Sequence, residues 1–367
     1  MPEASCYLRQ LAACVVAVVL LIVGFMVLVD PYRAFDAPAI DGFNAIKPRG
    51  SQQNTLSKSR ILARWQARTV LLGNSRVEVG LDPQSTLWPA ALRPVVNAAQ
   101  AGTGPDAQLC RLREAIAAGK PDLVVLGIDF TDFLAANRPA EAAEASRDAT
   151  CDNSALLWRS LFSINGIIDA VLTVVEQDRL TGATVDADGF SPGRHYLTHV
   201  SRIGYAGLFQ QKLAEDRRKL ANKSAPDAAR AASQARLEEL RAILRLARAE
   251  GITLVLYVHP FHETYLDLLR ELGLWDGFEA WKQQVQAMVE AVNRAATGNG
   301  TLRLIELGGS DEPTLEPVSA KGDVHMRWYW EAGHYKSALG DRIIDAVLMA
   351  ACLPPGSLPA RDVCTTR

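Results

Sequence analysis

The chain lacks any dense block of lysine and arginine. Its 39 basic residues are set against 41 acidic ones, for a formal net charge of −2. Nucleic-acid binding needs clustered positive charge, so we exclude nucleic acid as a partner. Internal repeats and low-complexity tracts are also missing from the sequence, which argues against a repeat architecture or a disordered chain. Because 49% of the 367 residues are apolar, a packed core is possible.

Cysteine is scarce, with six in the chain and no Cys-x-x-Cys pair, so no zinc site is indicated. Cys352 and Cys364 flank a short tail rich in proline and glycine. They either close a loop in an oxidising compartment or remain unpaired thiols. His259 and His262 do not have the i, i+4 spacing of a zinc-binding helix. We therefore predict no metal and no cofactor.

Charge is absent from residues 11–29. Such a run is just long enough to cross about 30 Å of hydrocarbon as a helix, so we predict a single transmembrane anchor over residues 1–29. A cleaved signal peptide is the alternative, with Ala37 as a candidate cleavage position. Arg9 and Arg33 nearly balance across the run and do not orient it. One span before a large soluble domain is typical of a signal anchor. We therefore predict the inner (cytoplasmic) membrane, with the domain facing the periplasm or cell exterior.

Short apolar runs alternate with helical patterns after the anchor. Continuous apolar runs of this length are typical of strands buried on both faces of a parallel sheet. Strands are predicted at residues 69–72, 94–98, 122–128, 252–258 and 302–307. Helices are predicted at residues 106–118, 226–250, 277–296 and 337–351. Repeated βα units of this kind predict an α/β fold with a doubly wound parallel sheet.

The remaining segments divide the chain further. Residues 30–68 have little periodicity and are predicted to form a stem, followed by an α/β domain over residues 69–352 and a tail over residues 353–367. The domain is interrupted at about residues 131–225 by an insertion with one apolar helix and a turn-rich stretch. Because ligand sites of such folds lie at the carboxyl ends of strands, this insertion is predicted to form a lid or a substrate wall.

Two short motifs carry the candidate chemistry. Gly-Asn-Ser-Arg at residues 73–76 follows the first strand, which puts the Ser75 hydroxyl at the carboxyl edge of the sheet. Glu331 and His334 precede the last helix and are close enough for one loop to hold both. A serine becomes nucleophilic when a histidine, itself oriented by a carboxylate, takes its proton. We predict Ser75 as nucleophile, His334 as base and Glu331 as the orienting group.

These motifs resemble those of the SGNH/GDSL hydrolase superfamily over residues 69–346. Residues 73–76 stand where the family has its Gly-Asp-Ser block, and residues 331–334 stand where it has Asp-x-x-His. Residues 97–102 resemble its glycine block, and residues 127–129 occupy the place of its Gly-x-Asn. The resemblance implies a flavodoxin-like, three-layer doubly wound sheet, and an oxyanion hole that includes Gly102 and Asp129.

Two residues depart from the family pattern. Asp129 replaces an asparagine whose amide would donate to the oxyanion, and an ionised carboxylate there would repel it. Asp129 is therefore protonated, turned away or used differently. Glu331 replaces aspartate, a milder change because a longer carboxylate still accepts from an imidazole. Asp323 is a fallback for the orienting role.

Within the superfamily, the chain is most similar to membrane-anchored, exported proteins that O-acetylate alginate and related exopolysaccharides. This likeness implies an esterase or O-acyltransferase acting on an acylated polysaccharide or glycan, with a membrane-bound acyltransferase as a possible partner. The alternative is a catalytically degenerate domain that binds polysaccharide or that partner in an assembly complex. Asp129 in place of asparagine favours this alternative.

Three further residues are predicted to bind substrate. Arg76 would pair with an anionic sugar, or else anchor its own loop. His259 follows a predicted strand directly, at the carboxyl edge of the sheet where the active site is expected. Trp330 belongs to an aromatic cluster around His334 that would stack on sugar rings, although such clusters also fill cores.

Overall fold

A computed structural model describes residues 2–134, 151, 157–158, 163–177, 185–221, 226–295, 298–308, 312–319 and 325–352. It contains a five-stranded, fully parallel sheet of order β2-β1-β3-β4-β5, which is the strand order of flavodoxin-type doubly wound sheets. The strands are β1 (Thr69–Leu72), β2 (Val95–Asn97), β3 (Leu123–Ile128), β4 (Thr253–Val258) and β5 (Leu302–Glu306). A small antiparallel hairpin joins β6 (Tyr329–Glu331) to β7 (His334–Tyr335). The predicted α/β fold with a parallel sheet is confirmed.

Most of the α-helices in the described residues pack around this sheet. The helices are α1 (Pro2–Val29), α2 (Asn54–Trp65), α3 (Ser75–Gly80), α4 (Pro105–Gly119), α5 (Phe130–Phe133), α6 (Ile164–Val175), α7 (Arg194–Ala221), α8 (Pro226–Ala249), α9 (Glu263–Glu271), α10 (Trp275–Arg294) and α11 (Ser337–Cys352). Both α8 and α11 pack on β4 and β5. A helix about 10 Å wide covers two strands spaced about 4.8 Å apart, so these two helices occupy opposite faces. The sheet is therefore the middle of three layers.

The strands form where the sequence is continuously apolar. Every residue of β1, β3 and β4 is buried, because helices cover both faces of the sheet. Each predicted strand and helix of the α/β pattern lies within three residues of an observed element. The hairpin and the short helices α3, α5 and α9 were not predicted, since they are too short to show periodicity. The prediction of one apolar helix in the insertion was incomplete, because the insertion also contains α7, which is interrupted by a non-helical conformation at Gly204.

α1 is the apolar N-terminal helix that the charge-free run predicts. Its segment Cys6–Val29 is long and apolar enough to cross a membrane. The end of α1 is tied to the following segment by side chains that bind its last carbonyls: Asn44 Nδ2 donates to the Leu28 carbonyl at 2.8 Å, and Lys47 Nζ donates to that of Val29 at 2.6 Å. α1 and the domain are therefore joined by an ordered connection.

The range predicted as a stem contains a helix of the α/β domain. α2 packs on α4, and its Leu62 and Ile61 are buried in the main core. The range lacks a clear periodic signal because polar residues of α2, including Lys58, are also buried. The α/β domain therefore begins with α2, before β1, and not at residue 69.

Among the described residues, Cys110 and Cys151 form a disulfide with a Cα–Cα separation of 5.4 Å. The sequence did not indicate this pair, because the two cysteines are 41 positions apart in the chain. The predicted alternatives for Cys352 with Cys364, the tail over residues 353–367 and the fallback carboxylate Asp323 lie outside the described residues.

Candidate active site

Ser75 lies at the carboxyl edge of the sheet, where β1 turns into α3. Gly73 permits this turn, because its φ is +149° and a Cβ there would lie 2.3 Å from Val77 Cγ2. Asn74 caps α3, with its Oδ1 accepting a hydrogen bond from the Arg76 N–H at 3.0 Å. Ser75 is the first residue of α3 and is half-buried. The motif therefore places a hydroxyl beside the backbone N–H groups of a helix's first turn.

Glu331 and His334 are paired across the β6-β7 hairpin. Glu331 is the last residue of β6 and stands opposite His334, the first residue of β7. A tight turn brings both side chains to one side, and Glu331 Oε2 accepts from the Gly333 N–H at 2.8 Å. The carboxylate and the imidazole are thus held by a β-hairpin, where the sequence predicted a single loop.

Ser75, His334 and Glu331 form a continuous hydrogen-bonded chain. Ser75 Oγ lies 2.7 Å from His334 Nε2, and His334 Nδ1 is hydrogen-bonded to Glu331 Oε1. Burial raises the pKa of Glu331, but the charge and hydrogen bond of His334 outweigh burial, so the net pKa is lowered and the carboxylate is ionised. An ionised carboxylate can only accept, so Nδ1 carries a proton, and in the neutral form of the imidazole Nε2 accepts from the Ser75 hydroxyl.

The buried side chain of Arg76 connects the serine turn to the hairpin that carries His334. Its Nε donates to the Gly333 carbonyl at 2.8 Å, and its Nη1 forms a salt bridge with Asp129 at the end of β3. The guanidinium also lies over the rings of Phe261 and Tyr265, 4.9 and 5.6 Å from their centroids. The Arg76 side chain is 9% exposed and that of Asp129 is fully buried.

This geometry corrects the prediction that Asp129 contributes to an oxyanion hole. Burial raises the pKa of Asp129, but Arg76 and then His259 outweigh burial, so the net pKa is lowered. The ionised carboxylate caps α5 through the Thr131 N–H at 2.8 Å and has no proton to donate. The prediction that Arg76 binds substrate is likewise replaced by its alternative, a loop anchor, because its guanidinium is buried against protein partners.

The other two residues predicted to bind substrate are buried as well. His259 is 2% exposed, and its Nδ1 lies 3.3 Å from the Tyr335 hydroxyl. Trp330 is 9% exposed and is packed between the ring of Tyr196, at 5.4 Å, and Lys336 Nζ, at 4.5 Å. Both side chains therefore support the active edge of the sheet as packing residues, and neither is placed to contact substrate.

The buried imidazole of His259 predicts a pH dependence of stability. Burial, followed by the nearby Arg76, lowers the pKa of His259 to about 3, whereas an unfolded histidine has a pKa of about 6.5. Between these values only the unfolded state takes up the proton, so stability falls as the pH drops from about 6.5 towards 3, by up to about 1.4 kcal/mol per pH unit. In denaturant titrations at pH 6.5 and 5, His259→Gln should lose about 2 kcal/mol less than the wild type.

The matched control for this experiment is His325→Gln, which removes an exposed imidazole. An equal loss of stability in His259→Gln and in the wild type would contradict the buried neutral state of His259.

A cavity of about 510 Å³ opens beside Ser75. Polar side chains and short loops line most of it, from the segment before α2, from α3, from the loop after β2 and from the start of α7. The lining residues are Ser51, Gln52, Gln53, Asn54, Thr55, Ser75, Glu78, Val79, Gln100, Ala101, Ser191, His195 and Tyr196. The last three belong to the insertion that was predicted to form a wall of the site.

Gly102 follows directly after the cavity-lining residues Gln100 and Ala101. It is exposed and has a φ of +72°, a conformation that favours glycine. The Gln100 N–H donates to the Gly73 carbonyl at 3.0 Å, which holds this loop against the serine turn. Gly102 is thus on the correct side of the sheet for its predicted role.

Sequence reasoning missed a buried ion pair in the cavity wall. Lys58 Nζ lies 3.3 Å from Glu78 Oε1, and both side chains are almost completely buried. Glu78 also accepts from Asn54 Nδ2 at 2.6 Å and from the Ala101 N–H at 3.1 Å, so it joins α2, α3 and the loop before Gly102. No pattern could have revealed this pair, because the segment with Lys58 showed no helical periodicity.

His195 was also missed, although the turn-rich stretch that contains it was noted. Burial, followed by the neighbouring His334, lowers the pKa of His195 to about 4, so its ring is neutral at pH 7. Its ring lies 4.3 Å from that of Tyr196, and both residues line the cavity. His195 therefore adds an uncharged polar side chain to the site.

The arrangement has the parts that acyl transfer requires: a hydroxyl, an accepting imidazole, an ionised carboxylate behind it, and a polar cavity at the hydroxyl. Comparison of the chain with protein-family models, curated proteins and solved structures found no match.

Proposed function

We propose that the chain is an SGNH-type serine esterase or O-acyltransferase that acts on ester groups of a cell-surface polysaccharide or glycan. The observation that carries this proposal is the hydrogen-bonded chain from Ser75 Oγ through His334 to Glu331, at the carboxyl edge of a sheet of order 2-1-3-4-5. Ligand sites of doubly wound sheets lie at this edge. The polar cavity beside Ser75 suits a hydroxyl-rich ligand.

In this mechanism, His334 Nε2 takes the Ser75 proton as Oγ attacks the acyl carbonyl. The N–H groups of Ser75 and Gly102 stabilise the oxyanion of the tetrahedral intermediate, without a third donor from Asp129. His334 then protonates the departing oxygen, leaving an acyl-Ser75 ester. A water molecule or a sugar hydroxyl gives its proton to His334 and attacks this ester, which releases the acyl group and restores Ser75.

The proposed location is the inner membrane, with a single span and the domain facing the periplasm or cell exterior. α1 supplies a possible span. The disulfide between Cys110 and Cys151 supports the outward orientation, because such bonds persist in oxidising compartments. A membrane-bound acyltransferase partner would supply the acyl group in the transfer reaction.

The alternative of a degenerate, non-catalytic domain has lost its main support. It rested on Asp129 in place of asparagine, and the salt bridge of Asp129 with Arg76 gives that residue a structural role. The intact chain of hydrogen bonds at Ser75 favours an active site.

A fluorophosphonate probe tests the proposal, because it labels only serines that a base has activated. We expect labelling of the purified full chain at Ser75, established by mass spectrometry, and its loss in Ser75→Ala and His334→Ala. Ser51→Ala is the matched control, since Ser51 lines the same cavity, and it should label like the wild type. Absence of labelling in a folded wild-type chain would favour the degenerate domain.

A further inference from the structure

α6 presents large apolar side chains to its surroundings. Ile164, Ile168, Val171 and Val175 are 76, 48, 47 and 72% exposed. Their spacing of four, three and four residues puts them on one face of the helix. We call these four residues the outer face of α6. Soluble proteins seldom leave a continuous apolar stripe of this kind uncovered.

On the opposite side of α6, the fully buried residues are small, and Ile167 and Val174 pack beside them partly buried. Gly166, Ala170 and Thr173 are buried, and Ala170 clusters with Met26 and Val29 of α1. A soluble amphipathic helix has the reverse arrangement, with large apolar residues inside. Small residues between helices and large apolar residues outside are typical of helices in lipid.

The polar groups of α6 are directed away from the outer face or satisfied by protein. Asp169 is the one charged residue of Ile164–Val175, and its carboxylate accepts from the Tyr32 hydroxyl at 2.6 Å. Thr173 Oγ1 donates to the Asp169 carbonyl at 2.7 Å. Asn165, in the first turn, is the one exposed polar side chain of the helix.

The position of α6 identifies what covers its outer face. α6 packs against the last turns of α1, where Ile22, Phe25, Met26 and Val29 join the same cluster. If α1 spans the bilayer, these turns lie at the membrane surface. α6 has 12 residues and is about 18 Å long, too short to cross about 30 Å of hydrocarbon but long enough to lie in the interface.

We propose that the outer face of α6 is a membrane-binding surface that lies in the lipid interface beside the end of α1. The proposal rests on the anchor of the proposed function, though not on its chemistry. The lipid surface is favoured as occupant because α6 packs on the last turns of α1, where the apolar side chains of Leu21 and Leu28 are exposed as well.

This contact would also orient the active site. Gln177, just after α6, exchanges hydrogen bonds of 3.0 and 2.9 Å with the backbone of Ile46, and Glu176 forms a 3.3 Å ion pair with Arg49. The next residues, Ser51 to Thr55, line the cavity beside Ser75. α6 therefore connects the membrane surface to one wall of the cavity and holds that wall close to the bilayer.

Depth-dependent fluorescence quenching tests the proposal on the full chain in lipid nanodiscs. Cys6, Cys14, Cys352 and Cys364 are replaced by serine, the disulfide is kept, and an environment-sensitive fluorophore is attached to Ile168→Cys or Val171→Cys. Nitroxide groups near the lipid headgroups should quench both probes at least about twofold more than a probe at Met349→Cys. Met349 is the matched control, because it is 60% exposed on α11.

A probe at Leu20→Cys, in the middle of α1, separates the possible outcomes. Quenching at Leu20 by deep nitroxides, with no quenching at Ile168 and Val171, would overturn the proposal for α6 and leave the anchor intact. No quenching at Leu20 would overturn the anchor and the α6 surface together. Probes on α6 that are shielded from aqueous iodide but not quenched by lipid would indicate a protein partner and overturn the proposal. None of these outcomes depends on catalysis by Ser75.

Discussion

Ser75→Ala is expected to lower kcat for a model acetyl ester at least about 10⁴-fold, because the variant lacks the hydroxyl that forms the acyl-enzyme intermediate. His334→Ala should cause a loss of similar size, since the Ser75 hydroxyl then lacks the acceptor that lies 2.7 Å away. The measurement is steady-state hydrolysis by the purified full chain in detergent. Circular dichroism checks that each variant is folded.

The double variant Ser75→Ala/His334→Ala provides a second test, because the losses in kcat of the two single variants should not add. If Ser75 and His334 act as one unit, the double variant is no slower than either single variant. The control Ser201→Ala removes an exposed hydroxyl on α7, outside the cavity, and should leave kcat within about threefold of the wild type. A Ser75→Ala enzyme that retains wild-type rates would assign the hydrolysis to another group and end the proposed mechanism.

Arg76→Ala is expected to destabilise the chain by about 3–5 kcal/mol, because it leaves the Asp129 carboxylate buried without its partner. The same change removes the hydrogen bond that holds the Gly333 carbonyl, and with it the position of His334. We therefore expect kcat to fall while KM changes little, as for a positioning residue. Denaturant titration and steady-state kinetics measure the two effects.

A second variant distinguishes the effect of the unpaired Asp129 charge from the effect of losing the hydrogen bond between Arg76 and the Gly333 carbonyl. Arg76→Met combined with Asp129→Asn removes both charges and should recover much of the stability, whereas kcat stays low because the Gly333 carbonyl remains unanchored. Arg64→Ala is the control, since its salt bridge with Asp36 is about half exposed and should contribute at most about 1 kcal/mol. Full activity and stability in Arg76→Ala would contradict the anchoring role.

The sequence predicted the sheet well because each of its strands is buried on both faces. A strand such as β3, from Leu123 to Ile128, is then apolar at nearly every position, so it can be predicted without knowing which strands lie beside it. Helices with one buried face, such as α4 and α8, were found for a similar reason. The helix α2 was missed because burial of polar residues such as Lys58 erased the contrast between its faces.

The meeting of Ser75 with His334 was predictable because both follow from local rules. Ser75 follows a strand, and the carboxyl ends of parallel strands share one edge of the sheet. Glu331 and His334 are three residues apart, so a tight turn brings them together. The predictions for Arg76, Asp129 and His259 had no such local basis, since their partners come from distant parts of the chain.

By itself, the sequence determined the α/β alternation, the apolar N-terminal helix and the positions of a serine and a histidine at one edge of the sheet. Hydrophobic periodicity and chain direction control these features, and both can be read along the chain. Only the tertiary structure decided that Arg76 and Asp129 neutralise each other, that Glu78 and Lys58 pair in the cavity wall, and that α6 exposes large apolar side chains. Charge pairing and burial are set by neighbours in space, and those neighbours exist only once the chain has folded.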